Sequence, residues 1–176
     1  LTAAIGETPV ERAIARRYAE GAVVGGTSAG AAVMTAVMLT GDERRPGGAR
    51  PPRELADAAD AWMTVDTANV VTARGFGLLP GAIVDQHFLR RRRHNRLLSL
   101  VLERPTLVGV GIDEATAVEV APDGTWRVLG AGQALVYDAR RAATTRSGGL
   151  GGSGLALHVL VPGARFDPAS GRVTLP

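Results

Sequence analysis

Three short stretches of this chain hold residue types that can do nucleophilic chemistry. Gly26-Thr27-Ser28-Ala29-Gly30 sets a serine between glycines, after the apolar run Ala22-Val23-Val24-Gly25 and before the small-residue run that starts at Ala31. A serine on a sharp strand-to-helix turn crowds its neighbours, so the flanking positions must be nearly free of side chains. Such a turn lifts the hydroxyl above a sheet edge and points the next amide, that of Ala29, to where an oxyanion would form. A glycine-serine turn with no chemistry has the same letters.

A serine nucleophile needs a base, and the chain has three histidines. His158 lies inside an apolar strand, the setting of a satisfied core histidine. His94 sits in a run of arginines, on what reads as a solvated face. His87 directly follows Ala82-Ile83-Val84, at the C-terminal end of a predicted strand, where open α/β sheets place their sites. The base in turn needs an acid to orient it. Asp113 and Glu114 both close the predicted strand Leu107–Ile112. Neighbours at a strand end point to opposite faces, so only one can face the imidazole; spacing does not choose between them.

The elements that must hold these residues read as follows. Thr8 to Glu20 is predicted helical, with Thr8 as cap, Pro9 in the first turn and Glu11 three positions on, ended by Gly21. Ala22–Gly25 reads as a buried parallel strand and Ala31–Leu39 as a buried helix. Gly41–Pro52 reads as an exposed loop, Glu54–Ala61 as one or two helical turns, and Trp62–Val71 as a β-branched stretch. A helix is expected over Arg91–Leu102 with Leu97, Leu98, Val101 and Leu102 inward. Strands are expected over Ala117–Val120 and Trp126–Leu129, joined at Asp123-Gly124, and over Ala134–Tyr137 and Leu155–Leu160. Arg146–Gly154 reads as a flexible loop and the C-terminus as polar. Together these predict a layered α/β domain whose sheet ends in antiparallel strands.

Composition narrows the classes. The chain has 176 residues, 45% of them hydrophobic and 21% charged, which suits one folded domain and excludes a disordered tail. It has no cysteine, excluding disulfides, thiolate zinc and thiol nucleophiles. Its 20 basic residues are all Arg, which excludes Schiff-base lysines and a P-loop lysine. The net charge of +3 does not demand a nucleic-acid partner, and few aromatics lie near the arginines to stack on bases. No run approaches the ~18 apolar residues of a membrane span. The sequence opens on Leu1 and not on Met, so any localisation signal is expected upstream of it.

Taken in order, Gly26-Thr27-Ser28-Ala29-Gly30-Ala31, Gly77-Leu78-Leu79-Pro80, Asp85-Gln86-His87-Phe88 with Arg91, Arg93 and Arg96-Leu97, and Gly111-Ile112-Asp113-Glu114-x-Thr116-Ala117 resemble peptidase family S51, in its cyanophycinase-like branch. The resemblance spans about Thr8 to Tyr137. The aspartyl dipeptidase branch shares the serine elbow but lacks the block of spaced arginines. What the resemblance implies is a class I glutamine-amidotransferase-like (flavodoxin-like) sheet with helices on both sides, and a triad of Ser28, His87 and Glu114 with Ala29 at the oxyanion. The order Ser, His, Glu differs from that of α/β-hydrolases.

The implied reaction releases β-aspartyl-arginine dipeptides from cyanophycin, a poly-aspartate carrying arginine on each side chain. It implies no cofactor or metal, a substrate pocket of Asp85, Gln86, Arg91, Arg93 and Arg96, a cytoplasmic setting and a homodimer. Arginine forks suit carboxylates, and Asp85 and Gln86 suit an ammonium or guanidinium. A solvated basic face is the plainer reading of Arg90–Arg93. The excursion Gly41–Arg53 is longer than the resemblance leads one to expect. The family fold also has an α/β half upstream of the elbow, so an N-terminal partner chain completing the sheet is expected here. The rival readings are an isoaspartyl or α-aspartyl dipeptidase of the same fold and a non-catalytic binding subunit.

Overall fold

The computed structural model describes residues 1–43, 65–67 and 70–176. The helical turns expected over Glu54–Ala61 lie outside the described residues. So do most of the loop expected over Gly41–Pro52 and half of Trp62–Val71.

After a single turn, α1 (Thr2–Ile5), comes α2 (Pro9–Ala19), within a residue of the predicted bounds at each end. The Thr8 hydroxyl accepts from the Val10 N–H at 3.2 Å, and the Glu11 carboxylate reaches back to the Glu7 N–H at 2.5 Å. The Thr8 hydroxyl thereby satisfies one of the helix's N-terminal donors, and Glu11 holds the backbone just before the cap. Glu11 also takes the Arg74 guanidinium at 3.2 Å, tying α2 to a later strand. Gly21, at φ 94°, ends the helix.

Two expectations fail next, each for a reason of partnership. Residues 22–25 form no strand; Val23 is 98% exposed. Apolar side chains can propose a strand, but a ladder needs a second backbone, and none of the described residues lies alongside. The helix expected over Ala31–Leu39 is only α3 (Ala29–Ala32). The carbonyls of Val33, Met34 and Ala36, which a longer helix would use, accept from Phe76, Leu79 and Gly75 instead. The chain then runs out as β1 (Val37–Glu43), which pairs antiparallel with β2 (Val70–Arg74).

The remaining elements follow in chain order: β3 (Ala82–Gln86), α4 (His94–Glu103), β4 (Val108–Ile112), β5 (Thr116–Val120), β6 (Trp126–Gly130) and β7 (Ala134–Asp138). Then come β8 (Ala143–Thr145), β9 (Gly151–Ser153), β10 (Ala156–Leu160), β11 (Arg165–Asp167) and β12 (Arg172–Thr174). The central sheet has the order β10-β7-β4-β3, with β3 and β4 parallel and the other pairs antiparallel. A second sheet, β12-β11-β6-β5, is antiparallel throughout. The glycine-serine stretch is not simply a loop, because residues 151–153 pair with β8. In the polar C-terminus β11 and β12 make a hairpin on β6.

The central sheet buries both faces. On one, Ile83, Leu135 and Tyr137 meet Leu97, Leu100 and Val101 of α4. On the other, Ala82, Val84, Val108, Val110, Ala134 and Val136 meet Trp126, Val128 and Phe166 of the second sheet, with Ala31 of α3 at the margin. Helices were expected on both sides; among the described residues the second side is covered mainly by β-structure. Strand β4 shows why the layers close. Its sequence alternates Val108-Gly109-Val110-Gly111, putting valines toward the second sheet and hydrogen atoms toward α4. A Cβ on Gly109 would lie 2.5 Å from Val101 Cγ2, and one on Gly111 would lie 2.2 Å from the Phe88 ring. The bare face of β4 lets both the helix and Phe88 come down onto it. Phe88, 0% exposed, anchors the residue just before it in sequence, His87.

Candidate active site

Ser28 occupies the turn between the unpaired segment and α3 at φ 54°, ψ −120°, a backbone conformation that a side chain disfavours. Gly26 makes that turn possible, since a Cβ there would sit 2.1 Å from the Gly30 carbonyl oxygen. Gly30 itself has open space around it. Gly26→Ala should therefore destabilise the protein by about 1–3 kcal/mol, as overpacking does, and displace Ser28. The check is a lower thermal midpoint together with slower labelling of Ser28 by a fluorophosphonate.

Strand β3 delivers His87 to the same place. Ser28 Oγ lies 2.9 Å from His87 Nε2, and His87 Nδ1 lies 2.5 Å from Glu114 Oε1. A carboxylate only accepts, so Nδ1 carries the ring proton and Nε2 is left to accept from the serine hydroxyl. The structure thus answers what spacing left open at the end of β4: Glu114 faces the imidazole. Two of these residues and the neighbour of the third share a feature no pattern reveals. His87 has φ 52° and Ala115 φ 51°, so left-handed backbone recurs at Ser28, at His87 and beside Glu114. The Thr116 hydroxyl donates to the Glu114 carbonyl at 2.9 Å, steadying that turn. The site is open: the side chains of His87 and Glu114 are 22% and 53% exposed. The N–H of Ala29, next after the serine, heads α3.

The five residues expected to line a substrate pocket do not stay together. Arg91, four positions after His87, is exposed, as are Arg90 and Arg92. Asp85 and Arg96 are each 0% exposed and engage one another through two hydrogen bonds, Nε to Oδ2 at 2.7 Å and Nη2 to Oδ1. Both are buried, whereas Arg91 is exposed. Arg93 joins them from the side, 3.5 Å from Asp85 and donating to the Gln86 carbonyl at 2.7 Å. Burial, reinforced by the neighbouring Arg96 charge, pushes the Arg93 guanidinium down to about 10. Gln86 Oε1 and Arg93 Nε are buried without a hydrogen-bond partner.

The other histidines have structural settings. His94 is not on a solvated face: it is half-buried, its Nδ1 is 2.6 Å from the Tyr137 hydroxyl, and its ring stands edge-on to Phe88 at 5.0 Å. Burial holds the Tyr137 phenol up at about 12, so it serves there as a neutral partner. His158 packs its ring 5.6 Å from Phe166.

Comparison with known proteins places this arrangement. The chain is 36% identical over 173 residues to a cyanophycinase of Trichormus variabilis, covering 94% of this chain and 52% of that one. It is 38% identical over 148 residues to a cyanophycinase of Synechococcus elongatus, covering 82% and 40%. It is 35% identical over 170 residues to one of Geminocystis herdmanii, covering 93% and 56%. The chain thus spans about half the length of the curated relatives it matches. A family model, peptidase family S51, matches residues 1–128, which include Ser28, His87 and Glu114. On that match and those identities, the chain belongs to peptidase family S51.

Proposed function

We propose that the protein is a serine peptidase of β-aspartyl bonds, releasing β-aspartyl-arginine from cyanophycin. The observation that carries this reading is the unbroken chain of contacts Ser28 Oγ, His87 Nε2, His87 Nδ1, Glu114 Oε1. In the proposed reaction Ser28 Oγ attacks the scissile carbonyl while its proton passes to His87 Nε2. Glu114 holds the imidazole and stabilises the cation. The Ala29 N–H donates to the oxyanion. His87 returns the proton to the leaving amine, and water then takes the serine's part to free the acyl group. Arg91, exposed four positions after His87, is assigned to the free carboxylate of the aspartyl unit, which a guanidinium fork fits. Arg93 and Gln86, held just below, shape the floor of that pocket. The relatives' name supports cyanophycin over other acidic peptides as substrate.

We further propose that this chain is the C-terminal part of an amidotransferase-like α/β fold, completed by an N-terminal polypeptide. Three observations support it: Val23 is 98% exposed, Glu114 is half-exposed, and an apolar groove of about 630 Å³ runs between α2 and residues 22–25. Val10, Ala13 and Ile14 line that groove together with Val23. A strand added beside residues 22–25 would fill it and pair the free backbone. A homodimer of the complete unit and a cytoplasmic setting belong to the same proposal. Leu157 and Val159, 53% and 49% exposed on the edge strand β10, are the apolar residues such a dimer would use.

One experiment tests both parts. The protein is incubated with insoluble cyanophycin, soluble β-Asp-Arg is measured, and the same sample is weighed intact by mass spectrometry. Dipeptide release by material containing a second polypeptide supports both parts. Release by a single 18.2 kDa species supports the peptidase and ends the partner proposal. No release, with Ser28 inert to fluorophosphonate, removes the peptidase reading and favours a binding subunit.

A further inference from the structure

Two adjacent carboxylates end β4, and the triad uses only Glu114. The other has work of a different kind. Asp113 Oδ1 accepts from the Arg90 N–H at 3.0 Å, and its own N–H is held by the Gln133 carbonyl at 3.2 Å. Arg90 belongs to the tight turn that follows His87. Within that turn Arg91 donates to the His87 carbonyl at 2.9 Å, and Arg93 to the Phe88 carbonyl at 3.0 Å. The Phe88 N–H is taken by the Ile112 carbonyl at 3.2 Å. Three consecutive residues therefore grip His87 from three directions. Ile112 holds the amide just after it, Asp113 holds the amide three positions on, and Glu114 holds the ring.

That grip has something to resist. His87 sits at φ 52° and Arg92 at φ 51°, both disfavoured for residues with side chains, so the turn will relax unless outside bonds hold it. Phe88 wedged over Gly111 supplies packing. Asp113 is the one side chain that hydrogen-bonds the turn's backbone from β4.

Resting on the serine-peptidase reading, we infer that Asp113 is a positioning residue, a side-chain cap on the 88–93 turn that aims the His87 imidazole at Ser28. It touches no reacting atom. What it provides is an acceptor at a set distance from the Arg90 N–H, so an amide oxygen should serve almost as well as a carboxylate.

Three variants test this, with fluorophosphonate labelling of Ser28 measured on protein shown by circular dichroism to be folded. Asp113→Ala should slow labelling by about 10- to 100-fold, the scale of an angstrom's misplacement of a catalytic group. Asp113→Asn should stay within about threefold of the unsubstituted protein, since it keeps the acceptor in place. Asp113→Glu keeps the charge but shifts the acceptor by one methylene, and should slow labelling about tenfold; it also serves if the alanine variant does not fold. Unchanged labelling in the alanine or glutamate variant overturns the inference. So does an asparagine variant as slow as alanine, which would make the charge the active feature. A second readout is independent of peptidase activity: the downfield proton NMR signal of the Nδ1–H between His87 and Glu114. If Ser28 proves inert in the unsubstituted protein, the function fails but this signal still decides. Its loss on Asp113→Ala and retention on Asp113→Asn support the cap, and an unchanged signal in both overturns it.

Discussion

Ser28→Ala is expected to lower kcat by about 10⁴- to 10⁶-fold, the range for removing the nucleophile of a serine triad, while leaving substrate affinity within about threefold. The split follows from the geometry. The Ser28 hydroxyl is bonded to His87 and sits at the tip of the turn, and the exposed arginines that follow His87 do not depend on it. Removing one oxygen should therefore abolish acyl transfer and leave recognition standing. Dipeptide release gives the first quantity, and calorimetric binding of β-Asp-Arg to the variant gives the second. A variant with full activity would remove the mechanism; one that loses binding in proportion would make Ser28 a recognition group.

The largest effect on stability is expected at a residue that sequence reasoning placed in the substrate pocket. Asp85→Ala should destabilise the protein by about 3–5 kcal/mol, the cost of leaving a buried charge without its partner. Its carboxylate binds Arg96, which is 0% exposed, and lies 3.5 Å from Arg93, which is 5% exposed. Deleting it removes the carboxylate that both guanidinium groups face in the interior, while the Thr40 carbonyl, 3.2 Å from Arg96, and the Gln86 carbonyl, 2.7 Å from Arg93, stay as acceptors. At roughly 2–4 °C per kcal/mol for a chain of this size, the thermal midpoint should fall by about 10 °C. The double variant Asp85→Leu with Arg96→Met should recover the part of the loss that Arg96 contributes, because replacing both members of a buried pair by apolar groups can be neutral, while Arg93 still loses its neighbouring carboxylate. A midpoint unchanged by Asp85→Ala would mean water reaches the pair. These outcomes separate a structural carboxylate from a substrate-binding one, since a pocket residue would change affinity and leave the midpoint alone.

The contrast between these two residues shows what was legible in advance. Ser28, His87 and the pair Asp113-Glu114 stood out because each follows a run whose side chains announce where the chain turns. Strands β3 and β4 were readable for the same reason: each is a short apolar run closed by polar residues, although the alternation of valine and glycine that bares one face of β4 was not read. What the sequence hid were facts about partnership. The apolar letters of residues 22–25 match a buried strand, yet no described backbone lies beside them. The letters after Ala32 match a helix, yet distant amides at Gly75, Phe76 and Leu79 take its carbonyls. Asp85 and Arg96 have the chemistry of a binding site, and only burial shows that they spend it on each other. The β8, β9, β11 and β12 strands were missed because three residues are too few to carry a periodic signal.

The left-handed backbone at Ser28, His87 and Ala115 has a further meaning. Each such position costs on the order of 1–3 kcal/mol relative to relaxed geometry, and glycine would relieve it at once. A protein whose only task was to hold a ligand would be more robust with glycine in these places, and random change would carry it there without resistance. Under the proposed function the joints at Ser28, His87 and Ala115 are a compromise between durability and reactivity, a reading that does not extend to Glu7, which has φ 60° in the turn before α2. On this view the chain's most ordinary-looking member of the trio, the alanine at 115, is as much a signature of chemistry as the serine.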